Sequence, residues 1–303
     1  MKAALHLLFL LAVVSGCAAQ SAAEIPGRVR GVVAPWRVGI QAGHWKMDEL
    51  PVEQRRLWGH TGARWGKLTE AEVNLAIARE VARQLEAADV VVDLLPATVP
   101  PGYDADAFVA IHADDGGGTV QSGWKIASPW RSSTASRRLR DAIGRSYAAA
   151  TGLPLDRYGV SYNMRGYYGF SWTRFEHAIA PTTPAAIIET GFLTSATDRG
   201  IIVDDPGRAA RGISAGILAF LQELKSLPLA SLVPVSYPPM LVATDQAPLR
   251  YLPDETERVA ARLSAGTWVR PFDEEDGWVE LVVWGNYRVF GWMKESDLRQ
   301  EGG

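Results

Sequence analysis

The stretch AAIIETGFLTSATD, Ala185 to Asp198, decides the fold. Its apolar residues follow Pro184 as a continuous run instead of an alternating one, the pattern of a strand buried on both faces. The run ends in a single carboxylate, Glu189. Thr190, Gly191 and Phe192 come next, and then a polar segment suited to a helix start. A carboxylate at the end of a buried strand sits at the carboxyl edge, where open α/β sheets keep their chemistry. Glu189 is therefore the candidate catalytic acid/base.

Working outward, Pro206 to Leu224 forms an amphipathic helix with Ile213, Ile217 and Leu221 on one side. Upstream, Arg37–Gln41, Val90–Leu95 and Phe108–Ile111 have the composition of strands. Thr69 caps a helix and Glu72 completes a capping box, after which Val73, Ile77, Val81 and Leu85 line one face. A second helix runs from Ser132 to Thr151 and stops at Gly152 and Pro154. Strands alternating with helices imply an α/β fold whose central sheet is largely parallel. Trp45 to Thr69, with Trp58, His60 and Trp65, is expected as a long loop over a site. Arg157 to Trp172, dense in Tyr and Gly, is expected as a surface element facing the same cleft.

The flanks differ in character. Lys2 followed by the apolar run Ala3–Val14 has the form of an export signal, since a spanning helix takes roughly 20 residues. Val14-Ser15-Gly16-Cys17 resembles a bacterial lipobox, which implies an exported protein held at the outer face of a membrane by lipid on Cys17. Residues 1–17 are then the signal, and 18–35, rich in Ala, Gly and Pro, a tether. Pro228, Pro234, Pro238 and Pro239 punctuate a linker over 226–239. Beyond it, short strands alternate with the turns Asp276-Gly277 and Gly285-Asn286. This all-β module, 240–299, resembles a bacterial SH3-like barrel. A chain of 303 residues with 47% hydrophobic and 21% charged residues suits two globular domains. The formal charge of −3 and the lack of a basic block exclude nucleic acid as a partner. The single cysteine excludes an internal disulfide and a cysteine-ligated metal.

Four residues at strand ends and at the capped helix share one possible purpose: His44, Glu70, His112 and Glu189. Two imidazoles and one carboxylate make a zinc site with a position open for water. A second carboxylate off the metal can take a proton from that water and return it to a leaving amine. Taken singly, each is ordinary: a histidine after a strand commonly serves a turn, and a Glu in a first helical turn suits the dipole. Glu72 rivals Glu70 as the ligand.

The segments AGH, TEAEVNLAIA, VAIHAD and PAAIIETGFLTSATD resemble the signature blocks of zinc-dependent N-acetylmuramoyl-L-alanine amidases, over about Val38 to Leu224. The resemblance implies a zinc-hydrolase, phosphorylase-like sheet flanked by helices, with a catalytic domain over 36–225. It implies Zn²⁺ on His44, Glu70 and His112, with Glu189 as general acid/base and Glu72 left to the capping box. The implied reaction cleaves the amide between the lactyl group of N-acetylmuramic acid and L-alanine in peptidoglycan. The same four residues would serve a zinc peptidase on another amide; a non-catalytic wall-binding lipoprotein would be expected to have lost one of them. Two positions depart from the family: Gln41 stands where an acidic residue usually precedes the first histidine, and Trp45 where a glycine usually follows it. Arg165, Arg174 and His177 are candidate substrate-binding residues, the arginines for stem-peptide carboxylates.

Overall fold

The computed structural model of the protein describes residues 35–116 and 121–301. The signal, Cys17 and the tether up to residue 34 lie outside the described residues. In chain order the first part comprises β1 (Arg37–Ala42), a small hairpin of β2 (Arg64–Trp65) and β3 (Leu68–Thr69), and α1 (Glu70–Glu86). Then come β4 (Val91–Leu95), β5 (Ala107–Asp114), β6 (Lys125–Ala127), α2 (Thr134–Thr151), the single turn α3 (Tyr162–Arg165), β7 (Ala185–Phe192), α4 (Ala196–Ile202) and α5 (Pro206–Leu224).

The central sheet has five strands in the order β4-β1-β5-β7-β6. The first four run parallel and β6 closes the edge antiparallel to β7. Strand alternation then sorts the side chains. Val109 and Ile111 of β5, with Ile188 of β7, face a core built on Ile77, Leu139 and Ile217 of the three long helices. Phe108, Ala110 and Ile187 face the other way, onto Tyr103, Met164, Tyr167 and Phe170. The Tyr/Gly-rich segment is therefore not a surface element: its apolar side chains roof the second face of the sheet. It lacks helical periodicity because it covers a sheet with one short turn and a loop, not with a long helix.

Helices α2 and α5 cross at very close range. A Cβ placed on Gly216 would lie 2.4 Å from the Ile143 Cα, and one on Gly212 would lie 2.7 Å from the Tyr147 Cα. Both contacts are to backbone, so no rotamer change relieves them.

The remaining chain is all β: β8 (Met240–Val242), β9 (Ala247–Arg250), β10 (Val259–Leu263), β11 (Trp268–Glu275), β12 (Trp278–Val283), β13 (Asn286–Lys294) and β14 (Leu298–Arg299). These seven strands form one sheet ordered β10-β9-β13-β12-β11-β8-β14. Asp276 and Gly277 both take positive φ, 47° and 80°, as the tight turn joining β11 to β12 requires. The all-β part belongs to the same compact unit as the α/β part, Ala34–Gly303. Arg165 of α3 pairs with Glu280 of β12 at 2.7 Å, Arg137 of α2 with Asp273 of β11 at 3.2 Å, and Trp130 packs edge-on against Phe272 and Phe290.

Gly216→Ala is expected to lower stability by about 1–3 kcal/mol through overpacking. Gly200→Ala, in α4 with nothing within 4 Å of the new methyl, should instead gain roughly 0.5–1 kcal/mol from helix propensity. Urea unfolding of the two variants measures the contrast, and equal midpoints would refute the close crossing.

Candidate metal centre

The carboxyl edge of β1, β5 and β7 gathers the site. His112 and Glu189 are register partners on adjacent strands. They continue the row of Phe108, Ala110 and Ile187, so both project from the face roofed by the Tyr/Gly-rich segment. Lys125 is the register partner of Glu189 on its other side. His44 lies in the turn after β1 and takes a left-handed conformation, φ 60°, which only a well-held non-glycine residue adopts.

Glu70 reaches this edge from the first position of α1. Thr69 caps the helix and its side chain accepts the Glu72 N–H, while the Glu72 carboxylate takes the Thr69 N–H. Glu72 is thus committed to the cap, and Glu70, one residue earlier, points inward and is 3% exposed. Its Oε2 accepts the Ala63 N–H at 2.7 Å, and its Oε1 accepts from the Asn74 Nδ2 at 3.1 Å. Asn74 donates also to the Gly43 carbonyl, at 3.0 Å, tying the helix to the turn that holds His44.

The two imidazoles converge on this carboxylate. His112 Nδ1 lies 2.9 Å from Oε1, and His44 Nε2 lies 3.5 Å from Oε2. Each ring has its second nitrogen engaged elsewhere: His44 Nδ1 donates to the His60 carbonyl at 2.7 Å, and His112 Nε2 donates to the Tyr167 hydroxyl at 3.4 Å. Those outer bonds select the tautomers that leave both inward nitrogens as lone-pair donors. One donor atom from each of His44, Glu70 and His112 falls within 4.8 Å of the others. A tetrahedral ion bonded at about 2.1 Å would set such atoms roughly 3.4 Å apart, and the observed 3.5 Å and 2.9 Å lie on either side of that value. The donor set fits a zinc-type divalent ion. Space is reserved for it as well: a Cβ on Gly43 would meet the His112 ring at 2.3 Å, and one on Gly62 the Glu70 Oε2 at 2.1 Å.

Protonation follows from these contacts. Burial raises the Glu70 carboxyl, but the His112 hydrogen bond and the two imidazoles outweigh it and hold the group at about 2. Burial lowers His44 below its ordinary value. It would lower His112 too, but the bond to Glu70 more than offsets this and raises that ring. Glu189 is the opposite case. Its Oε2 is buried with no hydrogen-bond partner, and burial pushes the carboxyl up to about 8 against the pull of His112 and Lys125.

The site contains residues that the sequence reading did not single out. Tyr167, kept neutral by burial, donates its hydroxyl to the Gln41 Oε1 at 2.8 Å while Gln41 Nε2 donates to the Ala97 carbonyl at 2.8 Å. Lys125 binds Asp114, and lies 3.4 Å from Asp156. Asn74 showed only as an unremarked polar position in an apolar helix face. The three substrate-binding candidates fall outside the cluster's hydrogen bonds. Arg165 is buried against Glu280. Arg174 is exposed and stacks on Phe175. His177 holds Glu53 through its ring and its N–H, tying the loop after β1 to the approach of β7.

The family model Amidase_3, N-acetylmuramoyl-L-alanine amidase, matches residues 38–219. Among solved structures, an N-acetylmuramoyl-L-alanine amidase of Clostridium difficile 630 is 18% identical, covering 62% of this chain and 97% of its own, with a TM-score of 0.44. The amidase AmiC2 of Nostoc punctiforme is 20% identical over 65% of this chain and 99% of its own, TM-score 0.44. The catalytic domain of CwlV from Bacillus (Paenibacillus) polymyxa is 24% identical over 62% and 98%, TM-score 0.42. No curated protein matches the chain.

Removing the hydroxyl behind His112, Tyr167→Phe, is expected to weaken divalent-ion affinity about 10–100-fold with the fold retained. Chelator competition measures this, and unchanged affinity would show that the phenol does not position the ring. Affinity should also fall with pH, by about tenfold per unit for each imidazole that must release a proton, once pH drops below the raised His112 value. Glu70 stays ionised throughout that window. A flat profile down to about pH 5 would contradict the assignment of His112 as a donor.

Proposed function

The chain belongs to the N-acetylmuramoyl-L-alanine amidase family, and we propose that it uses zinc on His44, Glu70 and His112 to cleave the amide joining N-acetylmuramic acid to L-alanine in peptidoglycan. The observation that carries this reading is a buried His-Glu-His donor set beside one carboxyl oxygen with no partner, Glu189 Oε2. When bound, zinc polarises the scissile carbonyl and brings the pKa of the attacking water to about 7.

The protein's own groups supply the rest. Glu189, raised by burial towards neutrality, is suited to take the proton from water and hand it to the departing L-alanine nitrogen. Lys125, its cross-strand neighbour, already neutralises Asp114 and Asp156, so the acidic edge does not force a proton onto Glu189 permanently. His60 and Tyr167 fix the two ring orientations, and Asn74 fixes the carboxylate.

Export and a lipid anchor at Cys17 rest on the sequence from Lys2 to Cys17, and place the enzyme at the outer face of a bacterial membrane, where peptidoglycan lies. We assign residues 36–225 as the catalytic domain and 240–299 as an SH3-like module on the pattern of short strands and turns.

Purified wall incubated with the metal-replete protein should release stem peptides that begin in L-alanine, detected by mass spectrometry, and chelator should stop the release. Glu189→Gln should lower turnover about 10²–10⁴-fold while zinc and wall binding persist. Persisting turnover would remove Glu189 from the mechanism, and cleavage at a different amide would point to a peptidase.

A further inference from the structure

Where the α/β part meets the all-β part, a groove of about 570 Å³ follows the seam, a volume common among sites that take a small ligand or a short length of chain. Its walls carry Arg131, Arg174 and Arg270, together with Trp130, Trp172 and Tyr237. The arginines come from distant parts of the sequence: the loop before α2, the loop before β7, and β11. All three are exposed. The carboxylates nearest the seam, Glu280 and Asp273, are already paired with Arg165 and Arg137. Among the described residues no carboxylate pairs with Arg131, Arg174 or Arg270, and no Asp or Glu lines the groove. In a protein of formal charge −3, a groove lined by arginine without any acid is a local reversal of sign.

The seam groove does not end at the boundary. A second hollow of about 470 Å³, lined by Trp268, Trp284 and Gln300, adjoins it, and Pro239 lines both. Trp268 and Trp284 are 38% and 48% exposed. The Arg270 guanidinium lies 4.5 Å over the Trp284 ring, so one side chain links the charged groove to the aromatic hollow. Flat apolar faces that alternate with guanidinium forks suit an extended chain carrying carboxylates. The forks take the carboxylates two oxygens at a time, and the rings cover the segments between. A neutral glycan would leave the arginines unmatched.

We propose that this groove is a second, non-catalytic binding site for an acidic peptide, the stem peptide of a wall strand other than the one being cut. The identity of the peptide rests on the amidase reading above. Holding a neighbouring stem raises the local concentration of wall at the enzyme, an avidity effect that needs no new contact at the metal centre.

The test uses the full chain carrying Glu189→Gln, so that the probe is not consumed, and measures its sedimentation with purified insoluble wall. Adding Arg131→Gln and Arg270→Gln should raise the dissociation constant about tenfold, the loss of two charge-assisted pairs at an exposed site. Free stem peptide should compete with the wall, and the same peptide with its carboxylates amidated should not. With Glu189 intact, the two arginine substitutions should leave turnover of a soluble muropeptide unchanged. An unchanged dissociation constant, equal competition by the amidated peptide, or stronger competition by inorganic polyphosphate would each overturn the site. If the parent protein releases no stem peptides from wall while arginine-dependent peptide binding persists, the amidase reading fails and the groove stands.

Discussion

A carboxylate taken out of water is costly unless its lone pairs are met, and Glu70 meets that demand by recruiting most of the site around it. Two of its hydrogen bonds come from within the fold, from the Ala63 N–H and the Asn74 amide, and two imidazoles face its oxygens. Each partner carries a structural consequence. The Ala63 contact requires the hairpin of β2 and β3 to fold back over the start of α1, with Gly62 leaving room for the carboxylate. Asn74 fixes the helix to the turn after β1, and that turn holds His44 in a left-handed conformation. The capping box keeps Glu72 out of the competition. A metal ion shared by these groups replaces proton-mediated pairing with coordination, and the buried charge is then balanced.

The second support of the site reaches across the molecule. His112 leans on Tyr167, Tyr167 on Gln41, and both Gln41 and Tyr168 on the Ala97 carbonyl. Tyr167 belongs to the segment that roofs the sheet, and that segment is secured by the Arg165–Glu280 pair to β12 of the all-β part. Removing one member of a buried pair leaves an uncompensated charge, commonly costing 3–5 kcal/mol. The all-β part therefore bears on the metal centre through two packed steps, without touching it. Gln41, where the family usually has an acid, is suited to this arrangement, because its Oε1 takes the phenol proton while its amide serves a carbonyl.

Local signals carried much of this into the sequence. The helix expected over Pro206–Leu224 has those bounds, and the capping box at Thr69 and Glu72 is present as drawn. The turns at Asp276-Gly277 and Gly285 take the positive φ that their residues suggested. What the sequence withheld is non-local. Tyr167 and Gln41 meet across 126 positions, and Arg165 and Glu280 across 115. No periodicity marks such pairs, so Tyr167 looked like one of several exposed tyrosines and Arg165 like a free cation. The burial of Met164 and Phe170 was hidden for the same reason: their partner is a sheet face formed by strands far away in the chain.

The central claim is that the Glu70 carboxylate and its two histidines form a zinc site. Elemental analysis of the purified protein, alone and as Glu70→Gln, tests it most directly. One zinc per chain in the parent, lost in the variant with the unfolding transition still cooperative, is the predicted result. A parent without metal, or a variant that keeps its full complement, would contradict it.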